Sequence, residues 1–160
     1  MDDLRVVNLS ELAWTPWTPD ERVTVDIKDP ARALGSALSG LRLLRVAPGQ
    51  ESSWLHRHLL QEEMYLILSG TGLLRHGDRT VPVKAGDFIL YPAGHPAAHA
   101  FVNTGEEPLE LIATGNRVPY EVCEYPERGT VYIEALDRTV RNEEVAGSRE
   151  PREAWYKAGR

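Results

Sequence analysis

The sequence predicts an all-β protein, either a sandwich or a barrel, on two observations. Short apolar segments of strand length recur through the middle of the chain and end at glycine or proline. Turn signals also fall between them about every 8–12 residues, a spacing typical of sandwiches and barrels. The predicted strands are 41–47, 64–69, 73–83, 88–91, 99–103 and 109–115.

The turns between these segments have recognisable chemistry. Pro48-Gly49 ends the first strand, and Gly70 ends the second. Gly77-Asp78 lies between two short apolar stretches within 73–83, a pattern that predicts a hairpin. A Gly-Glu-Glu-Pro turn precedes the last predicted strand.

The chain divides into three predicted regions. Residues 1–35 form an N-terminal arm, in which Trp14 and Trp17 are expected to anchor the arm on an apolar surface because tryptophan buries a large area. Residues 36–133 form the β-barrel domain. Residues 134–160 form a charged tail expected to pack on the barrel or on a partner subunit, since Trp155 and Tyr156 lie near its end.

Length, charge and cysteine content exclude several classes of protein. The 160 residues suit one domain and carry a net charge of −6 with no basic run, which argues against nucleic-acid binding. The longest uncharged stretch, 88–105, contains prolines and histidines and cannot be a membrane helix. A single cysteine, Cys123, excludes an intramolecular disulfide. We therefore expect a soluble, cytoplasmic protein with no membrane partner.

The histidines carry the clearest chemical signal. His56 and His58 are two residues apart, so on a strand both imidazoles point to one face. Glu62 or Glu63 can return a carboxylate to the same place after a tight turn, and His95 or His99 can add a further imidazole. Such a mixed nitrogen and oxygen set suits a divalent transition metal (Fe, Mn, Ni, Zn or Co) rather than Ca or Mg.

Two segments resemble the paired motifs of the cupin superfamily, in the style of its small single-domain bacterial members. The first has six residues instead of the usual five before its first histidine, and the second has two extra residues before its histidine. The first motif is filled by Gly49, His56, His58, Glu63 and Gly70, and the second by Gly86, Pro92, Gly94, His99 and Asn103.

This resemblance implies a jelly-roll (double-stranded β-helix) barrel with a metal held inside by His56, His58, Glu63 and His99. The distance to Gly70 selects Glu63, and Glu62 then points away as a surface or rim charge. The distance to Asn103 selects His99, which begins a strand, whereas His95 lies in a turn and is expected near the cavity mouth or exposed.

The remaining prominent residues have mainly structural interpretations. Gly70, Gly86 and Gly94 are expected in turns with positive φ. Asn103 should hydrogen-bond to backbone at the end of its strand. His76 is expected to be an exposed hairpin residue, and Cys123 a small buried one.

The sequence leaves open the roles of several side chains that could line the cavity. Core packing is favoured over a place at the cavity mouth for Trp54, Tyr65, Tyr91 and Phe101. An inward-facing arginine would favour a carboxylate or phosphate substrate, and the candidates are Arg42, Arg45 and Arg75.

The leading functional hypothesis is a small metal-dependent enzyme acting on a small organic molecule by oxygenation, isomerisation or decarboxylation. The alternatives are a non-catalytic barrel that binds a metal or metabolite, and a partner-binding regulator. No catalytic acid or base is identified in the sequence. Open sheet edges and the two aromatic arms favour a homodimer.

Overall fold

A computed structural model describes residues 4–143, and these form thirteen β-strands with one short helix. The helix is α1 (Pro30–Ala33), and two 3-10 turns cover Pro126–Arg128 and Glu134–Leu136. The strands are β1 (Thr15–Trp17), β2 (Val25–Lys28), β3 (Ser39–Val46), β4 (Arg57–His58), β5 (Glu63–Ser69), β6 (Thr71–His76), β7 (Arg79–Lys84), β8 (Phe88–Tyr91), β9 (His99–Asn103), β10 (Leu109–Asn116), β11 (Val122–Tyr125), β12 (Thr130–Ile133) and β13 (Arg138–Arg141).

The strands form three antiparallel sheets. The largest has the order β1-β2-β3-β10-β5-β8, the second has the order β13-β12-β11-β4, and the third has the order β7-β6-β9. Isolated bridges at Glu51–Val102 and His56–His99 connect β9 to the segment that leads into β4. The two smaller sheets therefore lie side by side along this segment.

The core lies between the large sheet and the β7-β6-β9 sheet. Val46, Ile67 and Leu111 of the large sheet are at most 1% exposed and belong to the same apolar cluster as Leu74 and Phe101 of the small one. In β10, for example, Leu109 and Leu111 are buried and Glu110 between them is half-buried, the alternation expected of a strand with one face in the core. The predicted jelly-roll fold is confirmed.

The predicted strands of the middle of the chain agree with the structure to within two residues at most ends. Gly77-Asp78 makes a two-residue hairpin between β6 and β7, with His76 opposite Arg79. Strands β11, β12 and β13 are additional, since the sequence analysis placed no strand after residue 115. Their sheet includes β4, which carries His58.

Residues 1–35, predicted as an arm, supply β1 and β2 to the edge of the large sheet. Trp17 contacts the ring of Trp54 edge-on at 5.6 Å, and the Trp14 ring lies beneath the guanidinium of Arg45 at 4.0 Å. Both tryptophans thus contact the rest of the fold. In the predicted tail, β13 pairs with β12, whereas Trp155 and Tyr156 lie outside the described residues.

The turn glycines and Asn103 have the predicted roles. Gly70, Gly86 and Gly94 have φ of 83°, 92° and 73°, a region that side chains disfavour. Asn103 is fully buried at the end of β9, where its amide donates to the carbonyls of Val46 and Glu107 at 2.9 Å. Its side-chain oxygen accepts from the Gly105 amide.

Between residues 4 and 143, no helix has both the length and the apolar character needed to cross a bilayer. One chain is described, so the homodimer stays a prediction, as does the cytoplasmic location.

We expect Asn103→Ala to lower the free energy of unfolding by on the order of 3 kcal/mol, because it leaves several buried backbone groups without partners. Urea denaturation followed by circular dichroism measures this. Asn142→Ala, at an exposed position, is the control and should change stability by less than about 0.5 kcal/mol. Equal stabilities for the two variants would contradict the role given to Asn103.

Candidate metal centre

Four side chains from three strands and one bridge converge at one end of the barrel. Around the Oε2 atom of Glu63, the Nε2 atoms of the three histidines lie at 3.7 Å (His56), 3.3 Å (His58) and 3.0 Å (His99). The structure therefore brings together all four residues that the sequence analysis selected.

Backbone pairing fixes where these residues stand. The amide of His99 donates to the carbonyl of His56 at 2.7 Å, and the amide of His56 donates back to the carbonyl of His99 at 3.2 Å. His58 lies on β4 opposite Cys123 of β11. Glu63 begins β5 and pairs with Tyr91 of β8 on one side.

On its other side Glu63 pairs with Gly115 of β10. A Cβ atom at Gly115 would lie 2.3 Å from the carbonyl oxygen of Glu62, much closer than a non-bonded contact permits. Glycine at 115 thus lets β10 approach the strand end that carries Glu63.

The second nitrogens of two of the histidines face acceptors outside the cluster. His56 Nδ1 lies 2.9 Å from the carbonyl oxygen of Trp54, so it carries the proton and leaves the Nε2 lone pair for the centre. His58 Nδ1 lies 3.5 Å from a carboxylate oxygen of Glu121. At His56 the proton on Nδ1 leaves Nε2 free to bind a metal, and at His58 the Glu121 carboxylate faces Nδ1 at ion-pair distance.

Tyr65 and Tyr91 complete the wall around Glu63 and His99. The Tyr65 hydroxyl donates to Glu63 Oε2 at 2.7 Å and lies 2.9 Å from His99 Nε2. The Tyr91 ring stacks on His99 with centroids 3.8 Å apart and an interplanar angle of 17°. Both tyrosines are buried, and both contact a ligand candidate, which goes beyond the core-packing role expected for them.

The electrostatics of the cluster favour a charged Glu63 carboxylate beside neutral imidazoles at His58 and His99. Burial opposes ionisation of Glu63, yet the contacts with His56 and His99 hold its pKa well below the usual range. Burial lowers the pKa of His99 to about 4 and also lowers the pKa of His58. Burial, reinforced by the Glu63 charge, raises the pKa of the Tyr65 hydroxyl well above its usual value. His56 differs, because the Glu63 charge raises its pKa despite the burial of the ring.

A small cavity of about 10 Å³, enough for about one water molecule, opens from the cluster. Three of the candidate ligands line it: His58, Glu63 and His99. The half-buried His95 also lines this cavity, in agreement with the position expected for it near the cavity mouth. The other lining residues are Arg57, Gln61, Tyr91, Pro92 and Ala97. Glu62 is exposed and lies off this cavity, also as predicted.

Two sequence interpretations need correction. His76 is half-buried instead of exposed, because its ring lies 5.3 Å from that of His95 and its Nδ1 is 2.9 Å from the Tyr91 hydroxyl. None of the three candidate arginines lines the cavity. They form ion pairs elsewhere, with Asp29 (Arg42), Glu110 (Arg45), and Glu51 and Glu127 (Arg75).

The sequence analysis missed Arg57, Gln61 and Glu121. Arg57 separates the two motif histidines and donates to Glu124 and to the Pro96 carbonyl. Glu121 lies beyond the second motif, where no spacing connects it with His58. Cys123 is buried as predicted, and burial raises the pKa of its thiol to about 12.

The donor chemistry of this cluster fits a metal ion. His56, His58 and Glu63 each offer a ligand atom, and these atoms lie within 4.8 Å of one another. Imidazole nitrogens combined with a carboxylate suit first-row transition metals. The cluster can therefore hold a metal.

Comparisons with known proteins agree with this fold. The sequence model of the cupin domain matches residues 42–115. An oxalate-binding protein of Thermotoga maritima is 37% identical over 70 residues, which cover 44% of this chain and 55% of that protein. The chain matches only about half the length of this and other curated relatives.

Two solved structures show how far the likeness extends. A provisionally named sugar phosphate isomerase of Acidithiobacillus ferrooxidans is 27% identical, with a TM-score of 0.80 over 92% of this chain and 96% of that one. A predicted oxalate decarboxylase of Thermotoga maritima is 26% identical, with a TM-score of 0.61 over 71% of this chain and 100% of that one. The barrel, both histidine motifs and the match to the cupin-domain sequence model together identify residues 42–115 as a cupin domain.

Proposed function

We propose that the protein is a metal-dependent enzyme acting on a small organic molecule, and that its reaction is the isomerisation of a sugar phosphate. The observation that carries the metal centre is the convergence of three imidazole nitrogens on one buried carboxylate oxygen. Without an ion, this carboxylate has only hydrogen bonds and ion pairs to balance its burial.

His99 is the fourth ligand of the proposed centre. Its Nε2 atom is the nearest of the three imidazole nitrogens to Glu63, at 3.0 Å, and its ring is held by the stacked Tyr91. The ring is nearly fully buried, and its lowered pKa keeps it neutral, as a ligand must be. With His56, His58 and Glu63 this gives an N₃O set suited to Fe, Mn, Ni, Zn or Co.

The whole-chain likeness to the isomerase supports the reaction class. That likeness extends over 92% of the chain, whereas the likeness to the predicted oxalate decarboxylase covers 71%. A bound divalent metal would polarise a substrate carbonyl. Three residues that line the cavity offer polar groups to a hydroxylated substrate: Arg57, Gln61 and His95.

The protein supplies two further features for such chemistry. The Tyr65 hydroxyl holds one oxygen of Glu63 by a 2.7 Å hydrogen bond, which orients the carboxylate. Tyr65 is protonated at neutral pH, because burial and the nearby charge of Glu63 both disfavour its anion. The narrow cavity leaves room for about one water molecule beside His58, Glu63 and His99.

A second candidate is binding of a small carboxylate, such as oxalate, without turnover. Two observations favour it: the 37% identity to an oxalate-binding protein and the cavity volume of only about 10 Å³. A planar dicarboxylate needs less room than a sugar phosphate. The activity experiment below separates the two candidates.

We expect His99→Ala to lose the bound metal and His95→Ala to keep it, because His95 lies on the cavity wall and its Nδ1 accepts a hydrogen bond from the Ala97 amide. Both variants are purified without a histidine tag, loaded with Zn²⁺, desalted and analysed for zinc by mass spectrometry. Wild-type protein should hold one equivalent. Zinc lost from the His95 variant and kept by the His99 variant would overturn the ligand assignment.

For turnover, the metal-loaded protein is incubated in D₂O with three- to six-carbon aldose and ketose phosphates. Isomerisation interconverts the aldose and ketose phosphates, so proton NMR should show the second isomer appearing for at least one substrate. His58→Ala protein, treated identically, should form no second isomer. No interconversion of any of these substrates, together with oxalate binding by calorimetry, would replace the enzyme hypothesis with the binding one.

A further inference from the structure

Glu121 is a buried acidic residue that no part of the proposed ligand set uses. Its side chain is only 2% exposed, at the residue just before β11. A buried carboxylate is costly unless hydrogen bonds compensate its charge. The contacts it makes therefore show what it is for.

All of these contacts are with His58 and the two residues that follow it. The amide of Leu59 donates to Glu121 Oε1 at 2.8 Å, and the amide of Leu60 donates to Oε2 at 3.1 Å. His58 Nδ1 lies 3.5 Å from Oε1. One carboxylate thus accepts hydrogen bonds from the backbone that leaves β4 and faces the imidazole of His58 at ion-pair distance.

We propose that Glu121 is a positioning residue for His58, an inference that rests on the proposed metal centre. A carboxylate facing Nδ1 keeps the imidazole proton on that atom, since the carboxylate is only an acceptor. The Nε2 lone pair is then directed at the cluster, where Nε2 lies 3.3 Å from Glu63 Oε2. Carboxylate partners of this kind orient metal-binding histidines in many proteins.

Glu121 lies outside the part of the chain that matches the cupin domain, residues 42–115. Pairing of β11 with β4, with Cys123 opposite His58, brings this later segment to the site. The strands after the matched region therefore contribute to the proposed centre as well as covering the barrel.

The variant Glu121→Gln tests the positioning role, because glutamine has nearly the same shape as glutamate. Glutamine has one side-chain oxygen, so it cannot serve the three N–H groups that the carboxylate faces. Among these donors only the imidazole can respond by moving its proton, here to Nε2. The matched control is Glu124→Gln, because Glu124 lies on β11 with the opposite alternation and pairs with Arg57.

Two readouts are measured on the full chain. In metal-free protein labelled with ¹⁵N-histidine, long-range proton–nitrogen NMR reports which nitrogen of His58 carries the proton. Co²⁺ affinity is measured by competition with a chelator. We expect His58 to be in the Nδ1–H form in wild type and in Glu124→Gln. In Glu121→Gln we expect a larger population of the Nε2–H form than in wild type. Co²⁺ binding should weaken about 10- to 100-fold in Glu121→Gln and less than about twofold in the control.

The proposal is overturned if His58 has the same tautomer in wild type and Glu121→Gln, or if both variants lose affinity equally. If wild-type protein bound no Co²⁺, Zn²⁺ or Mn²⁺, the proposal of a metal centre would be wrong. The tautomer comparison would still decide the role of Glu121, because it uses metal-free protein. The same NMR spectra show whether Glu121→Gln is folded.

Discussion

The site depends on a negative charge placed inside the barrel. The Glu63 carboxylate is largely buried, and one of its oxygens has three imidazoles and one hydroxyl around it, at 3.7, 3.3, 3.0 and 2.7 Å. Burying an ionised carboxylate is unfavourable unless partners compensate it. The imidazoles come from β4, from β9 and from the bridge at His56, so the charge connects β5 with parts of the chain up to 36 residues away.

The fold keeps these partners in place through backbone pairing instead of through flexible side chains. Reciprocal backbone hydrogen bonds join residues 56 and 99, and they fix the two backbone positions from which these imidazoles project. Gly115 lets β10 lie close to the start of β5, where Glu63 stands. A site on paired strands is more rigid than one built on loops, which suits a metal centre.

Sequence reasoning predicted the strands, and the common face of His56 and His58, because both have a periodic signal. Strand alternation places His56 and His58 on one face, and the turn glycines give each strand a boundary. The resemblance to the cupin motifs then selected Glu63 over Glu62. The same reasoning failed where no period exists. Both faces of the strand 41–47 carry apolar residues, so the sequence did not show whether Arg42 or Arg45 points into the barrel. In the structure both form ion pairs with acidic residues away from the cavity.

Glu121 shows most clearly what spacing cannot provide. Glu121 accepts a hydrogen bond from the amide of Leu59, which lies 62 residues earlier in the chain. It also lies in a region where acidic residues are common. Only the pairing of β11 with β4 brings it to His58. Its importance depends on burial and on a tertiary contact, and neither has a local signature in the sequence.

The central claim is that one divalent metal sits among His56, His58, Glu63 and His99. Anomalous X-ray diffraction at the zinc edge, from crystals grown with Zn²⁺, tests it most directly. We expect one strong peak, with the three Nε2 atoms and a Glu63 oxygen at about 2.0–2.2 Å from it. A peak between His76 and His95, or none within the barrel, would contradict the account.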